Sequence, residues 1–151
     1  MSAERVGVVV VTHGQLATEL LNAAETIVGE LPQCAAVSIG WHDDVEVARE
    51  AIDQAIRRVD KGRGVLVLTD MFGGTPSNLG LSFLEAGRVE VVTGVNLPML
   101  VTLAKAPEPR DIKGIAREMC ADGRAAIRVA SDLLEAHAPA KAANPASPAD
   151  Q

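Results

Sequence analysis

Four short, almost wholly apolar runs constrain what this chain can fold into: Val6-Gly-Val-Val-Val-Val11, Ala35 to Ile39, Val65-Leu-Val-Leu68 and Val89 to Thr93. Each is too short for a buried helix, and the valine-rich ones favour extended backbone, so each reads as a strand covered on both faces. The segments between them have helical spacing: Leu16, Leu20, Leu21, Ala24, Ile27 and Val28 follow the first run, and Val45, Ala48, Ile52, Ile56 and Val59 follow the second. Strand alternating with helix predicts an α/β fold, a doubly wound and mainly parallel sheet with helices on both faces.

The breaks between these segments fit the same reading. Gly29 lies just past the first helical pattern as a C-cap, and Pro32 follows where a helix cannot continue. Lys61-Gly-Arg-Gly64 reads as a turn, and Thr75 suits an N-cap with Pro76 at the first helical position, so a helix is predicted from there towards Glu85. A short apolar helix, Met99 to Ala104, follows Gly94-Val-Asn-Leu-Pro98. Pro107 and Pro109 break the chain before Asp111, after which Ile112, Ile115, Met119, Ile127, Leu133 and Leu134 mark a terminal helix, with an interruption expected near Gly123. Residues 138–151 are rich in Ala and Pro and are expected to form a disordered tail, leaving 1–137 as one domain.

A chain of 151 residues with 48% apolar content supports one core, and with 2% aromatics that core must be aliphatic. The net charge of -6 and the lack of a Lys/Arg cluster argue against nucleic acid as a partner. Cys34 and Cys120 show no pairing or metal-binding spacing and read as small buried hydrophobes. Val6 to Val11 is too short for a signal peptide or a membrane span, so a cytoplasmic protein without membrane insertion is expected.

Open α/β sheets bind ligands beyond the carboxyl ends of their strands, where strand order reverses. Thr12-His13-Gly14 ends the first strand, and Asp70 with Gly73-Gly74-Thr75 ends the third. In a sheet ordered 2-1-3-4 those strands are neighbours, and a histidine, a carboxylate and a glycine-rich loop meet at one crevice. Neutral imidazole is a nucleophile, and a carboxylate on one ring N–H fixes the tautomer and aims the other nitrogen. A phosphoryl group on His13 would need donors, which the backbone N–H groups of the first helix and of the Gly73-Gly74-Thr75 turn can supply. No metal ion or cofactor is then required. The chain lacks the Gly-Lys-Ser/Thr ending of a nucleotide phosphate loop and the Gly-x-Gly-x-x-Gly of a dinucleotide site.

Three segments in register, Thr12-His13-Gly14, Asp70-Met-Phe-Gly-Gly-Thr-Pro-Ser-Asn78 and Gly94-Val-Asn-Leu-Pro-Met-Leu100, resemble the IIA component of the mannose-type sugar phosphotransferase system. The resemblance covers roughly residues 5–136. It implies a phosphohistidine carrier in which phospho-HPr phosphorylates His13 and a IIB component receives the group. It implies His13 and Asp70 as the catalytic pair, with Thr12, Gly14, Gly73, Gly74 and Thr75 around the phosphoryl group. Relatives commonly have Ser where this chain has Thr75, which keeps the hydroxyl. The resemblance also implies a homodimer that exchanges an antiparallel edge strand from the C-terminal side, the stretch after Ala104 being the candidate region. The tail from Ala138 looks like the linker that joins IIA to IIB in relatives, so a free-standing IIA is expected.

Other readings fit less well. A receiver domain phosphorylated on Asp70 would need acidic residues after the first strand, where Thr12 and His13 stand. The carrier that supplies a dihydroxyacetone kinase has a turn resembling Met-Gly-Ser in place of Phe72-Gly-Gly-Thr-Pro76. A regulatory IIA-like protein, whose phosphorylation state signals without sugar transport, stays open as the alternative. His42 and His137 have no partner at ligand spacing and read as solvated. Trp41 is a candidate contact residue, and Asn96 with Pro98 either shapes a partner's rim or ends the fourth strand.

Overall fold

The computed structural model describes residues 5–105 and 111–137. The elements run β1 (Gly7–His13), α1 (Leu16–Val28), β2 (Cys34–Ile39), α2 (Val45–Val59), β3 (Val65–Thr69), α3 (Gly74–Leu81), β4 (Val89–Thr93), α4 (Leu97–Lys105), α5 (Ile112–Ala125) and α6 (Ala130–His137). The four strands form one sheet in the order β2-β1-β3-β4, and every strand pair is parallel. Among the described residues the antiparallel pairing outside the strands is an isolated bridge between Glu85 and Val89.

The unbroken valines of β1 follow from the two-residue repeat of a strand, which sends successive side chains to opposite faces. Val8 and Val10 pack with Leu66 and Leu68 beneath Ala17, Ala24, Leu100, Ile115 and Met119. Val9 and Val11 pack with Val65 and Val67 beneath Ala48, Ile52, Ile56, Val59 and Leu79. Both faces are covered, so a polar residue at any of these positions would be buried without a partner. Asp44 caps α2 by accepting from the Glu46 and Val47 amides, and Asp111 caps α5 through the Gly114 amide. Gly29 ends α1 with its amide bonded to the Glu25 carbonyl.

Two local expectations need correction. Gly73, not Thr75, occupies the N-cap of α3, so Thr75 and Pro76 lie within its first turn. The two glycines adopt positive φ, 100° at Gly73 and 83° at Gly74, and this turns the chain into the helix earlier than a threonine cap would. The helix also stops at Leu81, short of Glu85. The Ser82 amide donates to Asn78 and Leu79 and the Phe83 amide to Gly80, while Glu85 pairs with Val89 in the turn into β4.

The interruption expected near Gly123 falls just after it, between α5, which ends at Ala125, and α6, which begins at Ala130. A Cβ at Gly123 would stand 2.6 Å from Met99 Cε, so this glycine is there to let α5 approach α4. Asn96 reinforces the contact: its side-chain amide donates to the Gly123 carbonyl at 3.0 Å, and its oxygen accepts from the Met99 amide at 3.1 Å. Of the two readings of Asn96, the structure shows one that ends β4 and starts α4. Cys34 and Cys120 are half-buried and unpaired, and burial pushes the Cys34 thiol up to about 12. The expected tail at 138–151 lies outside the described residues.

Candidate active site

Parallel pairing of β1 with β3 aligns Val11 with Thr69, which sets His13, two residues beyond Val11, beside Asp70, one residue beyond Thr69. Asp70 Oδ2 accepts twice from His13, once from its backbone amide at 3.0 Å and once from ring Nδ1 at 2.8 Å. Asp70 Oδ1 accepts from the Met71 amide at 3.0 Å, which holds the carboxylate in one orientation. Burial pushes the Asp70 carboxyl up, but the two hydrogen bonds and the charge of His13 together outweigh it. The net effect holds the carboxyl below its ordinary value.

With Nδ1 donating to Asp70, the lone pair of the His13 ring resides on Nε2. The backbone of Gly74 passes close to that atom: a Cβ there would lie 3.2 Å from Nε2, and φ at Gly74 is +83°. Glycine is required here both for the left-handed backbone and for the close approach. Just beyond it are the unpaired N–H groups of the first turn of α3, with the positive end of the helix dipole. Thr75 is exposed in that turn, Pro76 is buried, and Gly14 anchors the other side of the histidine through a 2.8 Å bond to the Ile39 carbonyl. His13 therefore presents Nε2 to the glycine turn and the start of α3.

Of the residues expected around the phosphoryl group, Gly14, Gly74 and Thr75 line one crevice with His13, and Gly73 begins the turn above it. Thr12 stands apart. Its side chain is fully buried, and its hydroxyl accepts from the Ala17 amide at 2.7 Å, tying β1 to the first turn of α1. Strand alternation turns Thr12 inward when His13 faces out, so its side chain is a positioning element.

The crevice has a volume of about 500 Å³ and is also lined by Ile39, Gly40, Trp41, Asp43 and Val45 from the end of β2 and the loop after it. Sequence reading singled out only Trp41 of these. Their signal was the strand order itself, because β2 neighbours β1 and its carboxyl end must open onto the same crevice. Trp41 is 93% exposed with its ring edge-on to His42, and Phe72 is 75% exposed. The side chain of His137 lies outside the described residues. A larger hollow of about 610 Å³ opens at the opposite end of the sheet, lined by Arg5, Leu31 and Lys105 among others, and its lining includes no histidine or cysteine. Among the described residues, no group of His, Cys, Asp and Glu is placed to hold a metal ion, and no helix is long and apolar enough to cross a membrane.

The family profile described as "PTS system fructose IIA component", EIIA-man, matches residues 7–120. The chain belongs to the mannose-type IIA family of the sugar phosphotransferase system. It is 33% identical over 153 residues to the PTS system mannose-specific EIIAB component of Escherichia coli K12, covering 95% of this chain and 46% of that protein. The chain thus spans about half the length of this relative. It is 30% identical over 131 residues to the PTS system fructose-specific EIIA component of Bacillus subtilis, covering 86% of this chain and 90% of that one. The crystal structure of the PTS IIA protein associated with the fucose utilization operon of Streptococcus pneumoniae superposes with a TM-score of 0.77 at 27% identity, covering 89% of this chain and 99% of that chain. Within this IIA family assignment, the matched residues 7–120 contain β1, β3 and α3, the elements that hold His13, Asp70 and the glycine turn.

Proposed function

We propose that this chain is a phosphohistidine carrier of the sugar phosphotransferase system, accepting a phosphoryl group from phospho-HPr on His13 and passing it to a IIB component in the cytoplasm. The observation that carries the reading is the 2.8 Å bond from His13 Nδ1 to Asp70, which leaves Nε2 beside Gly74 and the start of α3. In the forward step the Nε2 lone pair attacks phosphorus, the P–N bond of the donor breaks, and its electron pair returns to the donor imidazole. The Nδ1 proton stays between His13 and Asp70 throughout, and the carboxylate stabilises the positive charge that builds on the ring. The backbone amides of Gly73, Gly74 and Thr75 and the Thr75 hydroxyl receive the phosphoryl oxygens, while Gly14, whose amide is engaged by the Ile39 carbonyl, shapes the crevice wall. Transfer to IIB is the same step reversed on a new acceptor.

Trp41, exposed on the crevice wall, and Met71 and Phe72, exposed in the chain between Asp70 and the glycine turn, support a protein, rather than a small molecule, as donor and acceptor. Support for a homodimer comes from the outer edge of β4, which pairs with no strand among the described residues, and from Ile127, Val129 and Leu134, which are 76%, 62% and 74% exposed beyond α5. An antiparallel strand from a second copy would satisfy that edge, and light scattering on the purified chain tests it. The functional test is incubation with phosphoenolpyruvate, Enzyme I and HPr, followed by intact-mass measurement. One acid-labile phosphate on the wild type and none on His13→Ala is the expected result. An unmodified wild type beside fully phosphorylated HPr overturns the donor assignment.

A further inference from the structure

The crevice around His13 is short of positive charge. Its lining includes His13 and Asp43 but no lysine or arginine. Asp70 adds a second carboxylate on the far side of the imidazole. Asp43 is held in place, because one of its carboxylate oxygens accepts from the Gly40 amide in the turn that follows β2. Its neighbour Asp44 differs: that carboxylate accepts from the Glu46 and Val47 amides and is compensated by the N-terminus of α2. His42 on the same loop is exposed and meets the Trp41 ring. Arg49 further along α2 donates to the Ser82 hydroxyl and pairs with Glu46, so its charge is engaged away from the crevice.

A phosphoryl group on Nε2 brings about two negative charges into this space. The helix N-termini favour it, and a fixed carboxylate on the crevice wall opposes it. We propose that Asp43 is a tuning residue that destabilises the phosphorylated state of His13, keeping the phosphoryl group ready to leave. The proposal rests on the phosphocarrier reading. It gives Asp43 no contact with the reacting atoms; its effect acts through the field across the crevice.

The test loads His13 chemically with phosphoramidate, so no protein donor is involved, and follows the phosphoryl resonance by ³¹P NMR as a function of pH. A nearby negative charge favours the more protonated phosphoryl form. In Asp43→Asn, which keeps an oxygen for the Gly40 amide, the phosphoryl ionisation should fall by roughly 0.2–0.3 pH unit at low salt. Asp43→Glu should restore it, and the shift should shrink as salt is raised. Glu30→Gln removes the same charge beside the distant hollow and should leave the titration where it was. Where phospho-HPr serves as donor, the phosphoryl equilibrium should move roughly two- to five-fold towards the Asp43→Asn chain. An Asp43→Asn titration that coincides with wild type at low salt, or that moves equally in Glu30→Gln, overturns the proposal. A wild type that takes no phosphoryl group on His13 from either donor overturns the carrier reading and the tuning with it, whereas chemical loading without transfer from HPr overturns the donor alone.

Discussion

The two ends of the sheet differ in a way that explains where the chemistry is. At the amino end the larger hollow is lined by the last residues of α1, α2 and α4 together with Arg5, Lys61 and Lys105. At the carboxyl end the smaller crevice lies by the starts of α1, α2 and α3, and its ionisable residues are His13 and Asp43. A parallel sheet with right-handed crossovers sends every helix back in one direction, so helix N-termini gather at one end and C-termini at the other. Cations at the amino end answer the helix carbonyls, as the Arg5 guanidinium does by donating to Ala104 at 2.8 Å. The comparison teaches that the larger hollow is not where the helix N-termini gather; the His13 crevice is.

Four experiments sharpen or break that contrast. The largest effect is expected at Asp70: Asp70→Ala frees the His13 tautomer and should slow phosphoryl uptake by about a hundred-fold or more in a single-turnover assay with phospho-HPr. A rate within a few-fold of wild type would show that the carboxylate is not what aims the ring. Gly74→Ala places a methyl group 3.2 Å from Nε2 in a backbone conformation with φ of +83°. It should slow uptake by roughly ten-fold or more while costing about 1 kcal/mol of stability, read by urea denaturation.

The third concerns acid. Because Asp70 is held below its ordinary value, its contribution to stability is fully present above that value and is lost as pH falls through the lowered one. The stability gap between wild type and Asp70→Asn should stay constant above about pH 5 and close at lower pH. A gap that widens on acidification would mean the sign is wrong. The smallest effect belongs to the other end: Lys61→Ala with Lys105→Ala should change phosphoryl uptake by less than about two-fold. A larger drop would show that the amino end takes part in the reaction.

Much of this arrangement was legible in the sequence. The valine run of β1, covered on both faces, could only be a central strand, and its ending in Thr12-His13-Gly14 placed the histidine at the sheet's carboxyl edge. The meeting of His13 with Asp70 followed once β1 and β3 were taken as neighbours. Other features depend on contacts between distant segments. Gly123 looks like a helix breaker by local propensity, yet Met99 packed against it makes it a spacer. Thr75 has the chemistry of a cap, but two glycines with positive φ moved the cap to Gly73. Asp43 joins the site because the turn after β2 opens onto the crevice at the end of β1, which no spacing within that turn announces.

A single oxygen, Oδ2 of Asp70, receives both the amide and the ring of His13. Backbone and side chain are thereby fastened to one point, so a fluctuation that releases the ring without disturbing the amide must leave that oxygen half used. The exchange of the His13 amide hydrogen with deuterated solvent should then gauge how often Asp70 swings away and frees amide and ring together. That gauge can be read in resting protein, with no donor, acceptor or sugar present.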